Sequence, residues 1–292
     1  MTLPIEEALP RLRAALTGHA AVVLQAPPGA GKTTLVPLAL LDEPWLKGKS
    51  IVMLEPRRLA ARAAAGRMSQ LRNENVGEMV GYRIRFESKV SKATRIEVLT
   101  EGILTRRLQN DPALEDVGLV IFDEFHERHL HADLALALCL DSQRGLRDDL
   151  KILVMSATLD GAAVSRLLNN APIITSEGRS YPVDVHYLAR DPEGRLPDVV
   201  AQAIQRALSE HEGDVLAFLP GAWEIRRTQS NIEAALKSSN IDIYPLYGDL
   251  PWEQQERAIR PGGAPGRRKV MTRALSPLAT SRITSSLLRK AA

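Results

Sequence analysis

The chain predicts an α/β fold built on parallel sheet, and three observations over its 292 residues carry that prediction. Short apolar runs recur, and longer stretches with helical spacing separate them, the order in which strands alternate with crossover helices. The runs are close to continuously apolar, as strands covered on both faces are. Several runs end in a polar cluster, and open parallel sheets bind ligands beyond the carboxyl ends of their strands.

Leu3 to Leu16 has apolar residues at helical spacing and reads as a helix ahead of the first strand, Ala20-Ala21-Val22-Val23-Leu24. A glycine-rich turn and a helix from Thr34 to Leu41 follow. Ser50 to Leu54 is a second strand, ending in Glu55-Pro56-Arg57-Arg58 and leading into an alanine-rich helix from Leu59 to about Leu71. Arg95 to Leu99 is a third, ending in Thr100-Glu101-Gly102 before a helix to Gln109. Gly118 to Phe122 runs into Asp123-Glu124-Phe125-His126, with a helix from about Ala132 to Gln143. Lys151 to Met155 ends in Ser156-Ala157-Thr158. Clusters at successive strand ends are expected to converge on one crevice.

The second half repeats the rhythm. Ala171 to Thr175 is a short strand, Tyr181-Pro182 marks a linker, and Val183 to Leu188 is expected to be extended. A helix over Asp198 to Leu208 precedes a strand, Asp214 to Leu219, that meets Pro220-Gly221. A helix after Trp223, a strand over Ile241 to Leu246 and a helix over Pro251 to Ile259 follow. Lys269-Val270-Met271 is expected to begin a last strand, and the remainder shows no clear period.

An apolar fraction of 45% is that of an ordinary globular protein. No apolar run approaches the roughly 18 residues needed to span a bilayer, so no membrane partner is expected. Met1 to Glu7 lacks the basic and apolar parts of a signal peptide. Cys139 is the single cysteine, so disulfides play no part. These features place the chain in the cytoplasm. The formal charge of +3 is unevenly spread: eight of the 38 basic residues and none of the 35 acidic ones lie between Arg260 and Ala292. Met1 to Ile259 is therefore net acidic, and the high isoelectric point is poor support for nucleic-acid binding by the body of the chain.

Strand, glycine-rich turn, Gly-Lys-Thr and helix, in that order, form a P-loop. Gly29 and Gly31 lack a Cβ, which lets Pro28-Gly29-Ala30-Gly31-Lys32-Thr33-Thr34 aim consecutive N–H groups at phosphate oxygens. Lys32 is placed to reach the β- and γ-phosphates and the Thr33 hydroxyl to ligate Mg²⁺. Ala26 stands where the motif's first Gly belongs. The plainer reading of this stretch is a turn that only caps a helix. Asp123 and Glu124 supply what a P-loop needs: a carboxylate for Mg²⁺ and a neighbour that takes a proton from the attacking water. Otherwise they are a solvated acidic loop. His126-Glu127-Arg128-His129 is one residue short of H-E-x-x-H, so zinc is not expected at His126, His129 or His131. Ser156-Ala157-Thr158 carries hydroxyls that reach across a crevice or merely cap a helix. Arg57 and Arg58 bind phosphate or form a solvated surface.

Asp123-Glu124-Phe125-His126 resembles motif II of the DEAH/RHA branch of superfamily 2 helicases. Gly29 to Thr34 resembles motif I, Glu55 to Ala61 motif Ia, Thr100-Glu101-Gly102 motif Ib, Ser156-Ala157-Thr158 motif III and Phe218-Leu219-Pro220-Gly221 motif IV. Val80 to Glu87 and Tyr244 to Gly248 also match family stretches in order. With its Ala26-Pro27-Pro28 start, the wording most resembles bacterial ATP-dependent members. The resemblance covers about Leu3 to Val270. It implies two RecA-like parallel-sheet P-loop domains: a helicase ATP-binding domain over 1–178 and a partial helicase C-terminal domain over 179–270. An atypical basic tail is expected over 271–292.

The same resemblance implies ATP, with other NTPs possible, and Mg²⁺ held by Thr33, Asp123 and Glu124. It makes Lys32, Asp123, Glu124 and His126 the catalytic set. His126, Ser156 and Thr158 couple hydrolysis to domain movement. Arg57, Arg58, Thr100 and Gly221 lie along single-stranded RNA or DNA. After Val270 the family continues with motif V, of the type A-T-N-x-A-E-T-S, and motif VI, Q-R-x-G-R-A-G-R; neither occurs in the 292 residues. Motif VI carries an arginine finger worth roughly 10³–10⁵ in rate in related NTPases. The second domain is therefore expected to be incomplete and the chain to be a C-terminally truncated helicase. Two functions stand: an ATP-dependent helicase, and an inactive fragment that binds ATP and nucleic acid.

Overall fold

The apolar runs become two separate sheets. The computed structural model describes residues 3–157, 161–178, 183–188, 192–236, 240–259 and 267–274. It divides into two units, Met1–Val183 and Asp184–Ala292.

In the first unit, helix α1 (Ile5–Gly18) precedes β1 (Ala21–Gln25) and α2 (Lys32–Leu40). Then come β2 (Ser50–Glu55), α3 (Arg58–Arg72), the hairpin β3 (Val80–Ile84) and β4 (Glu87–Lys89), β5 (Ile96–Thr100) and α4 (Glu101–Asn110). The unit continues with β6 (Val117–Phe122), α5 (Leu130–Gly145), β7 (Lys151–Ser156), α6 (Gly161–Leu167) and β8 (Ile173–Thr175). The sheet order is β4-β3-β5-β2-β6-β7-β1-β8. Every pairing is parallel except β3–β4, which is antiparallel.

Alternate residues of the central strands feed two cores. Val22, Leu24, Ile51, Met53, Ile121 and Leu153 pack with side chains of α1, α2 and α3. Val23, Val52, Leu54, Val120, Phe122 and Val154 pack with α4 and α5. A strand buried on both faces has no polar position, which is why these runs are continuously apolar. Full burial of such a side chain is worth about 1.5–3 kcal/mol.

The β3–β4 hairpin is the main departure from the expected elements: Val80 to Glu87 carries no strand expectation, yet it supplies the antiparallel edge of the sheet. Val80, Tyr82 and Ile84 face the core, and Gly81 permits close approach of the two strands. A Cβ there would lie 2.3 Å from the Lys89 carbonyl oxygen.

The second unit contains α7 (Leu196–Glu210), β9 (Val215–Leu219), α8 (Ala222–Ala235), β10 (Ile241–Leu246), α9 (Trp252–Ile259) and β11 (Arg268–Ala274). Its parallel sheet has the order β10-β11-β9. Ala201, Ile204, Ile232 and Val270 form its core. Val183 to Leu188, expected to be extended, pairs with no strand among the described residues. One expectation changes in the second unit. The boundary expected at 270/271 falls inside β11, whose residues Met271 to Ala274 pair with Tyr244–Leu246 and Leu216–Leu219. Thr272 is fully buried in that strand. The linker expected at Tyr181-Pro182 and the rest of the expected tail, 275–292, lie outside the described residues.

Candidate nucleotide site

The register of the first sheet brings the polar clusters to one rim. Gln25 is paired with Ser156, Leu54 with Phe122, and Glu55 with Thr100. The next residue of each strand therefore leaves the sheet on the same side. The Ala26 N–H donates to the Ser156 carbonyl oxygen at 3.0 Å, and the Asp123 N–H donates to the Leu54 carbonyl oxygen at 3.1 Å.

The loop between β1 and α2 turns through two glycines in the left-handed region, Gly29 (φ 77°) and Gly31 (φ 92°). L side chains rarely adopt that backbone. A Cβ on Gly31 would also crowd the Leu3 side chain, 2.9 Å from its Cδ1. Ala26 is buried and is not among the positive-φ residues, so an alanine fits where the motif's first glycine belongs. Pro28 and Gly29 are exposed, Ala30 is buried, and Thr34, in the first turn of α2, is half-buried.

Lys32 opens α2 and is 3% exposed. Its Nζ lies 2.8 Å from Glu124 Oε1. The neighbouring Thr33 Oγ1 donates to Asp123 Oδ2. Asp123 Oδ1 accepts from the Glu124 N–H at 2.8 Å. Glu124 has φ 48°, a left-handed conformation for a non-glycine residue and a mark of local strain. Its Oε2 lies 3.2 Å from His126 Nδ1, and the Ala157 N–H lies 3.5 Å from the same nitrogen. His126 thus stands between the turn after β6 and the end of β7.

Glu55 joins the site although no motif role marks it in the sequence. It ends β2, is 2% exposed, and is hydrogen-bonded to Asp123. Burial, and then the adjacent Asp123 charge, hold its carboxyl well above the usual carboxylate range. Burial raises Asp123 as well, opposed by the Thr33 hydroxyl and Lys32. A hydrogen bond between two carboxyls needs a proton on one of them, and burial favours protonation of this pair. The available signal was an acidic residue directly following four apolar strand residues.

Three carboxyl groups and a hydroxyl face one ammonium in this space. Thr33 and Asp123 are hard oxygen donors of the kind Mg²⁺ takes when substrate phosphates complete its shell. The residues present fit that ion.

Arg57 and Arg58 are exposed at the start of α3, and Thr100 is half-buried at the N-cap of α4. Arg57 Nη2 lies 2.9 Å from Glu127 Oε1. Ser156 is buried at the end of β7. Thr158 lies outside the described residues. Gly221 belongs to the second unit, where it caps α8 with an extended backbone.

These features define a P-loop unit with an Asp-Glu-x-His turn, and comparison with known proteins places it. A family model described as DEAD/DEAH box helicase matches residues 6–167, and the chain belongs to that family. It is 51% identical to the ATP-dependent RNA helicase HrpB of Escherichia coli (strain K12), over 92% of this chain and 33% of that protein. It is 36% identical to the ATP-dependent RNA helicase HrpA of Borreliella burgdorferi, over 87% of this chain and 31% of the relative. A crystal structure of the E. coli DEAH/RHA helicase HrpB superposes with a TM-score of 0.87 at 50% identity, covering 93% of this chain and 34% of that one. The chain spans about a third of the length of the curated relatives it matches.

Proposed function

We propose that the chain is an ATP-dependent helicase of the DEAH type that couples hydrolysis to movement along single-stranded RNA, with DNA as the lesser candidate. The observation that carries this reading is the meeting of Lys32, Thr33, Asp123 and Glu124 at one rim of the first sheet, with Lys32 paired to Glu124 at 2.8 Å. The names of the relatives, all RNA helicases, support RNA over DNA. ATP and Mg²⁺ are the proposed cofactors and the cytoplasm the proposed location. We assign 1–178 as the ATP-binding domain and 179 onward, including all of β11, to the second domain.

The steps follow from the residues. Gly29 to Thr34 wraps the phosphates, and Lys32 exchanges Glu124 for β- and γ-phosphate oxygens. Mg²⁺, when bound by Thr33 and Asp123, supplies neutralising charge on those oxygens. Glu124, freed from Lys32, orients a water and accepts its proton on a carboxylate oxygen. Glu55 keeps Asp123 aimed through their hydrogen bond. His126 carries the change at Glu124 to the Ser156-Ala157 end of β7. Arg57, Arg58 and Thr100 hold the nucleic-acid backbone through phosphate contacts, so binding weakens steeply with salt.

A second reading is a chain that binds ATP and nucleic acid without turnover. ATP hydrolysis by the purified chain, with and without single-stranded RNA and with Glu124→Gln as control, separates the two. RNA-stimulated, Glu124-dependent hydrolysis supports the helicase; binding without hydrolysis supports the second reading.

A further inference from the structure

The Arg57 guanidinium, proposed to face a nucleic-acid phosphate, is already held by a carboxylate. Its Nη2 lies 2.9 Å from Glu127 Oε1, joining the carboxyl end of β2 to the turn after β6. The second oxygen, Oε2, lies 3.1 Å from His129 Nε2. The arginine side chain is 43% exposed and the glutamate 24%, so the pair stands at the surface with its cation outward.

Glu127 also closes the turn that starts at Glu124. Its N–H donates to the Glu124 carbonyl oxygen at 2.9 Å. Glu124 (φ 48°) and Arg128 (φ 49°) bracket the turn, both in the left-handed region. Such a turn is held by its contacts rather than by local preference. Glu127 and Glu124 are thus joined by one turn of backbone as well as by sequence.

We propose that Glu127 is a positioning residue: it holds Arg57 until a phosphate of a single-stranded nucleic acid replaces it, and its release carries phosphate binding to the Glu124–His126 turn. This rests on the reading of the chain as a nucleic-acid-dependent ATPase. A phosphate matches the guanidinium fork and carries the charge to displace a carboxylate. A surface ion pair is weak and screened by salt, so the exchange is easy. Glu127 then keeps His129 alone and is repelled by the phosphate. By reciprocity, a nucleotide that draws Lys32 from Glu124 shifts the same turn and alters the hold on Arg57.

The test is fluorescence anisotropy with labelled oligouridylate and oligothymidylate of about twelve nucleotides, the span of one single-strand site. Wild-type chain, Glu127→Gln, Glu127→Asp, Arg57→Ala and Arg57→Ala/Glu127→Gln are compared, with and without Mg²⁺ and a non-hydrolysable ATP analogue. Thermal melts confirm that each is folded. Without nucleotide, Glu127→Gln is expected to bind roughly two- to fivefold tighter than wild type. Glu127→Asp, which keeps the charge but shortens the reach, behaves likewise. The Glu127→Gln gain vanishes when Arg57 is alanine. The effect of nucleotide on oligonucleotide affinity shrinks in Glu127→Gln, which a merely structural ion pair would not produce. Unchanged or weaker binding by Glu127→Gln, or a gain that survives Arg57→Ala, overturns the proposal while leaving the function intact. Wild-type chain that binds nucleotide but neither oligonucleotide at low salt overturns both.

Discussion

Lys32 and Glu124 neutralise each other in a space that also holds Asp123 and Glu55. A charge-assisted contact to phosphate is worth about 1.5–3 kcal/mol, so Lys32→Ala is predicted to weaken nucleotide binding about 10- to 100-fold. Glu124→Gln keeps Lys32 in place without its competitor and is predicted to bind nucleotide at least as well as wild type while losing turnover. Glu55 yields a pH prediction. Its folded pKa is raised, so the folded protein binds more protons than the unfolded chain above the ordinary glutamate value of 4.5. Stability that Glu55 contributes below that value is lost as pH rises through the raised folded pKa. Urea unfolding of nucleotide-free protein across this range should show the decline, and Glu55→Gln should flatten it. Lys32, Thr33, Asp123 and Glu124 were legible because each stands at a fixed place after an apolar run. Glu55 and Glu127 were not, because their roles depend on which strand end lies next to which, and that is set by sheet order.

The helices and parallel strands of the first sheet match the apolar periods of the chain closely. The β3–β4 hairpin does not announce itself. Arg83, Arg85 and Glu87 interrupt its apolar residues, and Gly81 weakens the strand pattern while fitting it against Lys89. Gly81→Ala would drive a Cβ into the Lys89 carbonyl oxygen, and overpacking of this kind costs about 1–3 kcal/mol. Denaturant unfolding is predicted to show that loss. The end of β11 is hard to read from sequence for a related reason: its inward-facing Thr272 looks polar, although it is fully buried. A strand with a buried threonine and flanking Arg273 carries too little apolar signal to be followed to Ala274.

The two units differ in the core they own. The first has continuous apolar layers on both faces of its sheet, while the described core of the second rests on Ala201, Ile204, Ile232 and Val270. Stability scales with buried apolar area, so calorimetry of the chain is predicted to show the second unit melting first. The family and the alternation of strands and helices were legible at this scale from ordered motifs alone. The proposed function turns on the nucleotide site, and titration of a fluorescent ATP analogue with Mg²⁺ into wild-type, Lys32→Ala and Glu124→Gln chains tests that site. Saturable binding by wild type, at least equal binding by Glu124→Gln, and loss in Lys32→Ala are expected. Binding by Lys32→Ala at wild-type affinity would overturn the assignment of Lys32 to the phosphates.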